Sequence, residues 1–252
     1  MSIIKQDQRR LDNIANMYWK TSGEMREMWG RKWYELIKKI GGKRHYVFDK
    51  EKLPSVTTIL DATQSAEKRE ALAKWRESKG EAEATRIVDE SAARGTAMHK
   101  ILEMYILEQG YLDETNVGKQ AHNMALQVIN SGLSNVTEYY GTECTLYYPG
   151  LYAGQTDLVG IHKGDDAIID FKQTNKPKKR EWIDDYFLQL SAYAMAHNIL
   201  FNTQITKGVI MMCSKDNYYQ EFVVEGSEFQ KYKHNFLRRV DEYYKTRSKT
   251  TG

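Results

Sequence analysis

The chain has 252 residues, of which 41% are hydrophobic and 28% charged, and a net charge of +3. This composition supplies an ordinary globular core and excludes a disordered or fibrous chain. The two cysteines, Cys144 and Cys213, cannot build a four-thiolate zinc or iron–sulfur site.

No apolar run reaches the ~18 residues of a membrane span. The opening MSIIKQDQRRLDN has no apolar stretch of signal-peptide length. A soluble, cytoplasmic protein with reduced thiols is therefore expected, with no membrane partner. The mild positive charge is compatible with a polyanionic partner and does not require one.

Residues 5–40 mix charge with aromatics. The spacing of Trp29, Trp33, Leu36, Ile37 and Ile40 predicts an amphipathic helix, ended by Gly41-Gly42. Such a stripe either packs on the body or stacks on bases. His45 to Phe48 reads as a short strand. Ser55, after Leu53-Pro54, suits a helix N-cap, with Thr57 and Thr58 as competitors. Hydroxyls at a helix start also suit a phosphate.

Residues 66–79 read as an exposed helix with Leu72 and Trp75 turned inward. Lys74, Arg76 and Lys79 are then solvated or set against phosphate. Residues 81–108 predict a long helix, with a break at Gly95. Met98, Ile101, Leu102, Tyr105 and Ile106 form its apolar stripe. His99 and Glu103, four apart, share the edge of that stripe. A lone helical histidine is usually structural, and Arg94-Gly95-Thr96 suggests a close backbone approach. Residues 117–133 read as a further helix. A strand over 137–148 carries Glu143 and Cys144.

The stretch 153–173, AGQTDLVGIHKGDDAIIDFKQ, reads as two strands around the turn Lys163-Gly164-Asp165-Asp166. In that hairpin Asp157 can lie near Asp170. Asp170 and Lys172 point to one face and Phe171 to the other. Ile168, Ile169 and Phe171 mark the strand as buried. A buried carboxylate beside a buried lysine persists only if paired, metal-bound or both. Two close carboxylates also repel unless a cation lies between them. A hard divalent ion answers this, and so does a salt-bridged structural hairpin.

The basic loop Asn175-Lys176-Pro177-Lys178-Lys179-Arg180 follows. It is either solvated or a phosphate contact. Residues 182–200 predict a helix on which Gln189 and Tyr193 share a face. Strands over 205–213 and 218–224, joined by Ser214-Lys215-Asp216-Asn217, precede a helix over 227–246 and a disordered tail from Lys245. The order argues for α+β architecture around one mixed sheet.

Arg94-Gly95-Thr96-x-x-His99, Gly154-x-x-Asp157, Asp170-Phe171-Lys172 and Gln189-x-x-x-Tyr193 occur in that order. Together they resemble the PD-(D/E)XK nuclease superfamily in its RecB-like branch, although the proline of the family name is missing. Pro54-Ser55-Val56-Thr57, Leu72 and Lys74-Trp75 make the chain similar to the mitochondrial genome maintenance exonucleases and their phage relatives. The resemblance covers about residues 53–200.

It implies a restriction-endonuclease-like core of helix, three strands, helix and strand, with added N-terminal helices. Residues 1–50 would be a helical extension, 51–246 the nuclease domain and 247–252 a flexible tail. The implied activity is metal-dependent hydrolysis of DNA from single-stranded ends, in replication, recombination or repair, with proteins of those pathways as further partners. Duplex-end and structure-specific nucleases, and a silent binding module, are the alternatives.

The implied metal is Mg²⁺ or Mn²⁺, held by His99, Asp157, Asp170 and the Phe171 carbonyl. Lys172 would activate water and steady the phosphate. Gln189 and Tyr193 would position Lys172 or the DNA backbone. Ser55, Lys74, Trp75, Arg94, Lys176, Lys178 and Lys179 would contact nucleic acid. Glu103 and Glu143 have no counterpart in the resemblance; each either supports the ligands from behind or forms a surface ion pair. A bacterial or phage setting is the expectation.

Overall fold

The computed structural model describes residues 37–40, 43–48 and 51–248. Strands β1 (Ile37–Ile40), β2 (Lys43–Phe48) and β3 (Glu51–Pro54) form a small antiparallel sheet. The helix expected to run through Ile40 gives way to β1 there, because Ile40 pairs with Lys43. Two glycines between two paired runs signal a hairpin as readily as a helix stop. The rest of that expected helix, with Trp29, Trp33 and Leu36, lies outside the described residues. The expected strand near His45 to Phe48 is present as the larger part of β2.

Four helices follow: α1 (Val56–Ala62), α2 (Ala66–Lys79), α3 (Glu81–Ile106) and α4 (Asn116–Ser131). Ser55, Ser65 and Thr115 each accept a backbone N–H at the start of α1, α2 and α4, which satisfies donors a helix start leaves free. On α2 the expected inward residue Leu72 is 49% exposed, so this helix buries no apolar stripe. The break expected at Gly95 does not occur; α3 is continuous. A Cβ at Gly95 would lie 3.4 Å from Gln173 Cγ, so glycine there lets α3 sit close to the sheet.

The central sheet runs β4-β5-β6-β7-β8. Its strands are β4 (Val136–Tyr148), β5 (Tyr152–His162), β6 (Asp165–Thr174), β7 (Gly208–Ser214) and β8 (Tyr219–Val224). The β6–β7 pair is parallel and the others antiparallel. The β5–β6 turn is tighter than expected. Lys163 (φ 49°) and Gly164 (φ 93°) alone make it, and Asp165 pairs with His162. Two left-handed residues match the twist of a two-residue hairpin. Helix α5 (Asp184–Phe201) crosses between β6 and β7, and α6 (Gly226–Ser248) closes the chain. Lys245–Ser248, expected to be disordered, form the end of α6.

Each sheet face carries its own apolar cluster. Ala167, Ile169 and Phe171 of β6 pack with Met98, Leu102 and Met124 of α3 and α4. Ile168 packs on the other face with Phe187 and Leu190 of α5 and with Phe236 of α6. Burying one such side chain contributes about 1.5–3 kcal/mol. No described helix is long and apolar enough to cross a membrane.

Candidate active site

The β5–β6 ladder stops at Leu158↔Ile169. Beyond that pair β5 stays with β4, and β6 stays with β7. The sheet therefore forks. In the fork the Phe171 N–H donates to Asp157 Oδ2 at 2.6 Å instead of to a strand carbonyl. A charge-assisted bond replaces the missing ladder bond and fixes the Asp157 carboxylate between the strands. Strand alternation puts Asp170 and Lys172 beside it, on the face away from Phe171.

Asp170 is 2% exposed and ion-paired with Lys172. The Lys172 Nζ also lies 5.0 Å from the centre of the Tyr186 ring on α5. His99 reaches the fork from α3, with Nδ1 3.3 Å from Asp157 Oδ1 and its ring edge-on to Phe171. From α5, Gln189 Nε2 donates to Tyr193 Oη at 2.9 Å.

His99, Asp157, Asp170, Lys172, Gln189 and Tyr193 line one cavity of about 480 Å³. Tyr46, Ser55, Thr57, Gly95, Thr96, Lys100, Glu103, Glu143, Gly154 and Gln155 complete its wall. Ser55 is buried as the N-cap of α1, and its Oγ bonds the Thr58 hydroxyl. Thr57 is the exposed hydroxyl of that group.

Electrostatics in the fork are tightly coupled. Burial alone would lower the His99 imidazole, but the Asp157 carboxylate prevails and raises it to about 9. Burial pushes Asp157 up, yet His99 and Lys172 hold it below the usual carboxylate range. Burial raises Asp170 to about 6 against the pull of Lys172. It raises Glu143 to about 8, with Asp157 adding to the rise. Three carboxylates this close are short of positive charge, which a divalent cation supplies. The donor set fits such an ion. His99, Glu143 and Asp157 each offer a ligand atom, and these atoms lie within 4.8 Å of one another. The carboxylate oxygens suit a hard divalent ion, and the single imidazole also admits borderline ones.

Not every expected contact reaches this cavity. Arg94, expected to touch nucleic acid, is fully buried. Its five N–H donors are engaged by Gln173 (2.9 Å), Glu90 (3.2 Å), Gln120 (3.1 Å), Ser91 (3.3 Å) and Asn175. A guanidinium so enclosed ties α3 to the end of β6 and has no donor left for a phosphate. Lys74 pairs with Glu70 on the exposed face of α2, and Trp75 is half-buried there. Lys176 and Lys179 are exposed on the loop after β6, where Lys179 Nζ lies 5.4 Å from the Trp182 ring. Lys178 is half-buried, and its backbone N–H bonds Gln220.

Comparison with known proteins follows the same line. The chain is 28% identical over 204 residues to mitochondrial genome maintenance exonuclease 1 of Mus musculus, covering 76% of this chain and 59% of that protein. It is 27% identical to the Homo sapiens protein of that name over 76% of this chain and 58% of the other. The chain resembles the mitochondrial genome maintenance exonucleases. The likeness read from the motifs is thereby borne out, although the chain spans under two thirds of these relatives' length. No family model matches the chain. Among solved structures, an alkaline exonuclease from Laribacter hongkongensis matches 88% of this chain and all of its own, at 11% identity and a TM-score of 0.32.

Gly154 shows how closely the cavity is packed. A Cβ there would lie 2.5 Å from Tyr193 Cε1. Tyr193 is a buried residue of α5 and cannot swing away freely. Gly154→Ala should displace the Tyr193–Gln189 pair and cost about 1–3 kcal/mol of stability by overpacking. Chemical denaturation checks this; an unchanged midpoint would contradict the packing argument.

Proposed function

We propose that the chain is a metal-dependent DNA exonuclease that prefers single-stranded ends and serves DNA replication, recombination or repair. The observation that carries this reading is the fork, which brings His99, Asp157, Asp170 and Lys172 to one cavity. The names of the relatives add exonuclease activity to it.

In this reading Asp157, Asp170, His99 and the Phe171 carbonyl hold the cation. A bound divalent ion would neutralise phosphate charge and make a water more acidic. Lys172 stands beside Asp170 at the cavity wall. Its ammonium orients the attacking water and offers a proton donor to the phosphate oxygens as charge builds on them. The direction of the Lys172 shift agrees. Burial opposes its charge, but Asp170 and Asp157 outweigh burial and keep it an ammonium. Gln189 and Tyr193 line the same cavity and in this reading position Lys172 or the DNA backbone. Thr57 and Lys100 offer donors at the rim for neighbouring phosphates.

The test uses one oligonucleotide as a linear single strand, a closed circle and a duplex, with each end of the linear form blocked in turn. The linear single strand should be consumed with Mg²⁺ or Mn²⁺, and one blocked end should protect it. Cleavage of the circle at the same rate would make the enzyme an endonuclease and sink the exonuclease reading.

A further inference from the structure

We infer that Glu143 is a direct ligand of the divalent cation, together with His99 and Asp157; this rests on the nuclease reading above. In the β4–β5 ladder Thr142 pairs with Leu158 and Cys144 with Thr156. Glu143 therefore stands across from Asp157, with β5 between it and the Asp170–Lys172 pair of β6. The ligand atoms of His99, Glu143 and Asp157 lie within 4.8 Å of one another, and all three residues line the same cavity.

The other carboxylates of the cavity have partners. Asp157 takes the Phe171 N–H and His99, Asp170 takes Lys172, and Glu103 takes Lys100. Among the described residues no side chain bonds or pairs with the Glu143 carboxylate. A half-buried carboxylate with no compensating donor costs free energy unless an ion or ligand meets it. Its backbone also departs from the strand. Glu143 sits at φ 52°, which a β-strand residue other than glycine rarely adopts.

The local bonds hold that departure in place. Gln155 Nε2 donates to the Glu143 carbonyl at 3.0 Å, and Thr142 Oγ1 donates to the Asp157 carbonyl at 2.8 Å. The twist turns one carboxylate toward the imidazole and the other carboxylate. Two carboxylates and one imidazole make a donor set for Mn²⁺ or Mg²⁺ with room for water and phosphate oxygens.

The test is Mn²⁺ titration of the full chain without DNA, following the free-ion signal by electron paramagnetic resonance. Glu143→Gln keeps the side-chain shape and should weaken Mn²⁺ binding by about tenfold or more. Glu143→Asn suits a left-handed backbone. It should lose Mn²⁺ to the same degree while its metal-free melting temperature stays at or above that of wild type. Binding equal to wild type in both variants, with Asp157→Asn deficient, would overturn the Glu143 assignment alone. A wild-type chain that binds no Mn²⁺ would overturn the assignment and the nuclease reading together.

Discussion

Lys172→Ala should slow cleavage of a single-stranded oligonucleotide by roughly 10³-fold while leaving DNA binding near wild type. The expectation follows from where the ammonium sits. Lys172 faces the cavity next to Asp170 and the Tyr186 ring, away from the apolar face that Phe171 fills. Its removal therefore subtracts a charge from the reacting centre and no contact from the core. One positive charge among many phosphate contacts changes affinity little, but a donor aimed at developing charge changes the rate strongly. Single-turnover decay measured with a separate filter-binding assay distinguishes the two effects. Loss of binding in step with rate would make Lys172 a DNA anchor.

Arg94→Ala should destabilise the protein by roughly 3–5 kcal/mol, or a fall in melting temperature of about 10 °C. Its guanidinium is enclosed, and removing it strands the side-chain oxygens of the half-buried Gln173 and Gln120. Leaving buried donors and acceptors unpaired costs more than the bonds themselves contribute. Arg94→Lys should recover little, because a compact ammonium has three donors and no fork to reach five partners. The check is a thermal melt of both variants. A melt equal to wild type for Arg94→Ala would mean that the residue is free for DNA contact, as the family resemblance implies.

Much of the site could be read from the sequence because its chemistry is local. Asp170-Phe171-Lys172 alternates across a strand, and Gln189 and Tyr193 sit one turn apart on a helix, so two periodicities alone orient them. Asp157 was placed near Asp170 by a hairpin whose turn was visible in Lys163-Gly164. What the residues alone did not reveal depends on long-range pairing. Arg94 resembles a phosphate contact until Gln173 and Asn175, distant in sequence, close around it. The fork exists because β5 and β6 choose different neighbours beyond Leu158↔Ile169, and no local pattern encodes that choice.

Glu143 is a further case. It falls within a strand, and nothing in Thr142-Glu143-Cys144 signals a left-handed backbone. Likewise Ile37 and Ile40 fit both a helical stripe and a short strand, and pairing with β2 decided between them.

The most direct test of the central claim compares wild type with Asp170→Ala on an end-labelled single strand, in Mg²⁺, in Mn²⁺ and in EDTA. Degradation by the wild type with either metal, abolished by EDTA and by Asp170→Ala alike, is the expected result. Degradation that survives EDTA, or an Asp170→Ala variant as fast as the wild type, would contradict a metal-dependent site in the β5–β6 fork.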